Sequence, residues 1–108
     1  METTEIEKAK ALIIDKIIEY VPHAVVIKTI IKKKTGDITA ASFDTGEALT
    51  EKTIPFDTFI QIIEGKAEII IDGISNELDE GQSIIIPANT TNIVKANERF
   101  KMISNIIK

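Results

Sequence analysis

The chain has 108 residues, 44% of them hydrophobic including 24 isoleucines, only 5% aromatic, and a net charge of −4. That is one domain with a core of its own, and the mild acidity argues against sequence-independent nucleic-acid binding, which relies on neutralising phosphates. With no cysteine, disulfides, thiolate metal sites and cysteine nucleophiles are excluded, and no apolar stretch approaches the roughly 18 residues that cross a bilayer.

The start of the chain is acidic and lacks a basic run followed by an apolar one, so no signal peptide and a cytoplasmic location are expected. Residues 4–20 read as a helix. Thr4 and Glu7 have capping-box spacing, Ile6, Ile13, Ile17 and Val21 form a helical stripe beside Ile14 and Ile18, and Pro22 ends it. The isoleucine pairs at 13–14 and 17–18 suit a short strand equally well. The expected organisation is therefore a segment over 1–24, helix or strand, ahead of a β domain over 25–108.

From Ala24 onward, short apolar runs alternate with turn residues, the pattern of a sandwich or barrel. The runs are Val25–Ile31, Ile38–Phe43, Phe59–Ile63, Ala67–Ile71, Ser83–Ile86, Ile93–Ala96 and Phe100–Ile107. Isoleucine suits them because branching at Cβ fits a pleated sheet. Gly36, Gly46, Gly65, Asp72-Gly73 and Gly81 separate the runs. Asp72-Gly73 predicts a type I′ hairpin, which needs positive φ at both central residues. The basic run Lys32–Lys34 leads into Thr35-Gly36-Asp37 and reads as a solvated hairpin end.

Two glycine-led spacings stand out. Gly46 is followed after five residues by Lys52-Thr53-Ile54, then Thr58, then six residues and Gly65; Gly81 is followed after five residues by Pro87-Ala88-Asn89, then two residues and Asn92. These spacings resemble the two motifs of the cupin family, and the likeness covers roughly residues 25–107. The resemblance implies a mostly β fold, a small antiparallel cupin β-barrel of jelly-roll type. It also implies that Lys52, Ile54, Thr58 and Asn92 stand where a metal-bearing cupin has its ligands. Small cupins of this kind commonly carry a histidine at each of the positions held here by Lys52 and Asn92.

No usable ligand set remains there. Lysine is protonated near neutral pH, isoleucine has no lone pair, and neutral Thr and Asn oxygens suit transition metals poorly. No metal and no cofactor are expected. The sole histidine, His23, lies outside both motifs and reads as a loop residue. Ser42 and Ser83 have no histidine base nearby in sequence, which leaves serine-nucleophile chemistry unsupported.

Period-2 alternation puts Phe59, Gln61 and Ile63 on one face of their strand and Thr58, Ile60 and Ile62 on the other. The expected ligand pocket comprises Lys52 at the mouth with Ile54, Thr58, Gln61 and Asn92, apolar walls bearing a few placed polar groups. Thr90, Thr91 and Asn92 fit equally a turn closed by side-chain to backbone bonds, and Asp57 fits a turn or a polar pair with Gln61. The expected function is a metal-free barrel that binds or senses an unidentified small molecule. The alternative is a cupin enzyme, either a cofactor-independent isomerase or lyase using Lys52 with Asp57 or Glu51, or one keeping a residual metal. A homodimer is expected, because cupins usually pair and two-fold pairing buries a surplus of apolar surface.

Overall fold

The structure is a computed structural model that describes residues 6–51 and 53–108, and of Glu51 the backbone alone. Thr4 and Lys52 lie outside the described residues. Among the described residues, eight strands follow in chain order: β1 Val25–Lys33, β2 Gly36–Phe43, β3 Ala48–Glu51, β4 Asp57–Ile71, β5 Ile74–Asp79, β6 Ser83–Ile86, β7 Asn92–Lys95 and β8 Phe100–Ile107. All their pairings are antiparallel. The protein is the mostly β, jelly-roll type of barrel that the apolar runs suggest.

Its architecture turns on β4. The first half of this strand pairs with β6 and β8, and β8 continues through β2 to β1. The second half pairs with β5 and β7, and β7 continues to β3. One strand thus belongs to two leaves. The switch coincides with a bulge between Ile62 and Glu64 and with Gly65 at φ +79°. A side chain is excluded there twice over: a Cβ on Gly65 would run into the Arg99 carbonyl and sit 3.0 Å from the Phe100 Cα.

The core fills the space between the leaves. Along β4, Thr58, Ile60 and Ile62 are buried while Asp57, Phe59 and Gln61 are exposed, which realises the expected alternation. Past the bend, Ala67 and Ile69 point inward. The rings of Phe43 and Phe100 stack beside Gly65, with centroids 4.6 Å apart and planes within 12° of parallel. Asp72 and Gly73 have φ of +48° and +83°, as the I′ hairpin requires, with Ile71 paired to Ile74. Lys33 pairs with Gly36 across a two-residue connection, and Lys32 to Lys34 are exposed at the hairpin end.

The N-terminal segment corrects the expectation of helix or strand. Among the described residues it contains a single 3₁₀ turn, Ile14–Lys16. The cause lies in the sheet beneath it. The carbonyls of Asp15, Ile17 and Glu19, which a helix would use internally, accept instead from Lys101 Nζ at 2.6 Å, Lys28 Nζ at 3.3 Å and Ser42 Oγ at 2.8 Å. Every second carbonyl is thereby tied to β1, β2 or β8, and Ile18 is buried. This strap covers the outer face at Ala40 and Ser42, so β2 is buried on both sides over Ala40–Phe43. Tyr20 closes it, donating to Glu64 Oε2 at 2.6 Å beneath the Arg99 guanidinium at 4.6 Å. Burial and the Glu64 carboxylate push the Tyr20 phenol well above its ordinary pKa.

The two constraints on Gly65 are separable. Gly73 shares the positive φ but has open space around its missing Cβ. Gly65→Ala is expected to cost clearly more than Gly73→Ala, whose penalty is the backbone one of about 1–3 kcal/mol. Denaturant unfolding of the two variants checks this; equal losses would contradict the close approach of β4 to β8.

Candidate functional site

Three of the five pocket residues expected from the sequence come together. Ile54, Thr58 and Asn92 line one cavity of about 70 Å³ inside the barrel, with Ile60, Ile86, Val94, Met102, Ser104 and Ile106 completing the wall. Alternation explains each placement. Thr58 and Ile60 lie on the inner face of β4, Asn92 and Val94 on that of β7, and Met102, Ser104 and Ile106 on that of β8.

The rim is held by hydrogen bonds within and between its loops. Asp57 Oδ1 accepts from the Ala88 N–H at 2.8 Å, and the Asn89 N–H donates to the Ile54 carbonyl at 2.7 Å. Asn89 tolerates its φ of +64° here, as Asn often does. Thr90 Oγ1 donates to the Pro87 carbonyl at 2.7 Å. Thr91 donates to Asp72 Oδ1 from its N–H at 3.0 Å and its hydroxyl at 3.2 Å. Turn closure is therefore done by Thr90 and Thr91, and Asp57 acts as a tie between loops, leaving Asn92 free of both tasks.

Asn92 is the notable group. It is only 5% exposed, it faces the cavity, and its Oδ1 is buried without a hydrogen-bond partner among the described residues. A buried acceptor left unpaired costs about 1–3 kcal/mol, so such groups are rare in native interiors. Thr58, itself 7% exposed, and Ser104 supply the other polar atoms of the lining, both hydroxyls. None of the described lining residues carries a charge.

One expected member stands elsewhere, and another lies outside the described residues. Gln61 is exposed on the outer face of β4, opposite Thr58, and does not line the cavity; strand parity forbids both facing inward. Lys52 lies outside the described residues, as does the Glu51 side chain. His23 is an exposed loop residue at φ +60° whose N–H donates to Asp44 Oδ2 at 2.8 Å. That bond, with the Arg99 guanidinium and the Thr45 N–H, holds the Asp44 carboxyl down at about 2. Ser104 and Met102 are lining residues that the motifs do not flag. Their parity with Ile106 along the last apolar run was the available signal.

The chemistry of this lining does not fit a transition metal. Thr58, Asn92 and Ser104 offer neutral oxygens, whereas such ions favour imidazole, thiolate and carboxylate ligands. A second concavity of about 370 Å³ lies between the strap and the sheet, lined by Asp15, Lys16, Ile18, Glu19, Glu64 and Lys101. Its buried amine, Lys101 Nζ, is bonded to the Asp15 carbonyl and lies 3.9 Å from Glu64 Oε2. This is a structural clamp for the strap.

No family model matches the chain, and no curated protein matches it. Solved structures do. A conserved protein of unknown function from Streptococcus pyogenes is 28% identical with a TM-score of 0.89, over 100% of this chain and 95% of that one. A cupin 2 conserved barrel domain protein from Leptotrichia buccalis is 29% identical with a TM-score of 0.83, over 87% of this chain and 46% of that longer one. A cupin superfamily protein from Desulfitobacterium hafniense is 22% identical with a TM-score of 0.88, over 99% of this chain and 98% of its own. The class that fold and interior define is the cupin barrel. This chain has the fold of a small cupin.

The unpaired oxygen has a measurable consequence. In ligand-free protein, Asn92→Leu replaces a buried, unsatisfied amide by hydrocarbon of similar size and should raise stability by about 1–3 kcal/mol. Thermal unfolding would register this as a rise of roughly 4 °C or more per kcal/mol. A comparable fall would mean that Asn92 Oδ1 has a partner inside the folded chain.

Proposed function

We propose that this protein is a metal-free cupin whose barrel binds a small molecule, and that the binding serves recognition or sensing. The observation that carries the reading is the Asn92 Oδ1 acceptor, buried, unpaired and facing a cavity with apolar walls. Pockets for small molecules have this anatomy, hydrocarbon around a few oriented polar groups. The neutral oxygens of Thr58, Asn92 and Ser104 support the metal-free reading, since they form a poor set for transition ions.

The enzyme reading has less behind it. General acid–base catalysis needs titratable groups within reach of the reacting atoms, and the described lining residues are aliphatic, hydroxyl, thioether and amide groups. Asp57, the carboxylate nearest in sequence to Thr58, is exposed and engaged with the Ala88 N–H. An acidic ligand held by Lys52 depends on a residue outside those described.

Pairing into a homodimer is part of the same proposal. The strap covers the outer face of the larger leaf at Ala40 and Ser42, but the row beyond it runs Ile85, Phe59, Asn105, Ile38, Ile31 across β6, β4, β8, β2 and β1. Ile85 is 61% and Phe59 40% exposed. Such a row, apolar at every position but Asn105, is characteristic of interaction faces, and two-fold self-pairing is the commonest way to cover one.

One experiment tests both parts. Native mass spectrometry of protein expressed in metal-supplemented medium should show a dimer of the 11.9 kDa chain with no bound transition ion. A monomer at micromolar concentration would remove the pairing, and one metal per chain, strippable by chelator, would remove the metal-free reading.

A further inference from the structure

We infer that the ligand of the barrel cavity is a small neutral molecule that donates a hydrogen bond to Asn92 Oδ1, a short aliphatic amide or alcohol. The inference rests on the small-molecule reading above and narrows it to a chemical class.

Size sets the first limit. The cavity of about 70 Å³ is roughly half the volume of an apolar cavity known to take benzene, about 150 Å³. A ligand that fits without rearrangement is therefore smaller than a six-membered ring. The walls set the second limit. Ile54, Ile60, Ile86, Val94, Met102 and Ile106 favour a hydrocarbon portion in contact with them.

Charge sets the third. An anion entering this lining would give up its hydration with no cationic side chain among the described lining residues to compensate it, and burial of an unpaired charge is strongly unfavourable. A cation meets the same obstacle, because the oxygens present are neutral. Hydrogen-bond chemistry then fixes the polar group. Asn92 Oδ1 is an acceptor without a donor, while the Thr58 and Ser104 hydroxyls both donate and accept. A primary amide satisfies this set from one end, its N–H₂ donating to Asn92 and its carbonyl accepting from a hydroxyl. It also answers either orientation of the Asn92 amide, since it carries both donor and acceptor. An alcohol does the same with a single atom.

The test uses the intact protein and three probes of known size: propionamide, its anionic isostere propionate, and xenon. Amide shifts in ¹H–¹⁵N spectra report binding at Thr58, Asn92 and Ser104, and show directly whether each variant is folded. Propionamide should bind saturably, propionate at least about 10-fold more weakly, and Asn92→Leu should weaken propionamide by about 10-fold, the worth of one buried hydrogen bond. Thr58→Val, close in shape, should weaken it several-fold and serves if Asn92→Leu is not folded. Propionate binding as tightly as propionamide would overturn the inference, and its loss in Lys52→Ala would assign the site to acids instead. Unchanged propionamide affinity in both cavity variants would also overturn it. Xenon separates this failure from the wider one. If xenon enters and propionamide does not, the cavity binds but the polar selection is wrong; if neither shifts any lining residue, the small-molecule reading falls as well.

Discussion

The constraint on which the structure depends is the bend of β4 at Gly65. Because this residue has positive φ and no side chain, the β8 backbone passes close enough for one strand to join both leaves. The first half of β4 then brings Thr58 and Ile60 to the interior, and the second half, by pairing with β7, brings Asn92 and Val94 to face them. Phe43 and Phe100 stack beside the bend and close the space at that side. The loop bonds through Asp57, Asp72, Asn89 and Thr91 brace the rim. The cavity between is a product of the bend, because two separate strands would carry no such coupling between its walls.

Much of this was legible in the sequence because it depends on local rules. Seven apolar runs mark strands, with β6 and β8 matched at both ends, and Asp72-Gly73 gives its turn through the positive φ that glycine allows and aspartate tolerates. Alternation alone sorts Thr58 and Ile60 from Phe59 and Gln61. What escaped is nonlocal. The two runs on either side of Gly65 read as separate strands, since continuity through a bulge depends on the Phe100 backbone 35 residues on. The short strand Ala48–Glu51 has no apolar run to announce it. The helical stripe of the N-terminal isoleucines is real as a pattern, but Lys28, Ser42 and Lys101 claim the carbonyls that a helix needs.

The site was legible to a similar degree. Glycine-led spacing located Ile54, Thr58 and Asn92, because spacing fixes register on adjoining strands. Gln61 was misplaced by proximity in sequence, against the parity of its own strand. Ser104 and Met102 come from the last strand, where no motif stands, and reach the cavity through the β4–β8 pairing. The unpaired state of Asn92 could not be read at all, since it requires knowing that Thr90 and Thr91 take the turn-closing bonds in its place. An interior that keeps such a group gives up the stability that a paired or apolar residue would supply there.

A crystal structure of the purified protein at a resolution that shows ordered water tests the central claim most directly. The account predicts density for water or a small molecule inside the barrel, within about 3.2 Å of Asn92 Oδ1 and in reach of the Thr58 or Ser104 hydroxyl. A dry interior, with Ile54 and its neighbours collapsed into the space and the Asn92 amide turned to a backbone partner, would contradict it.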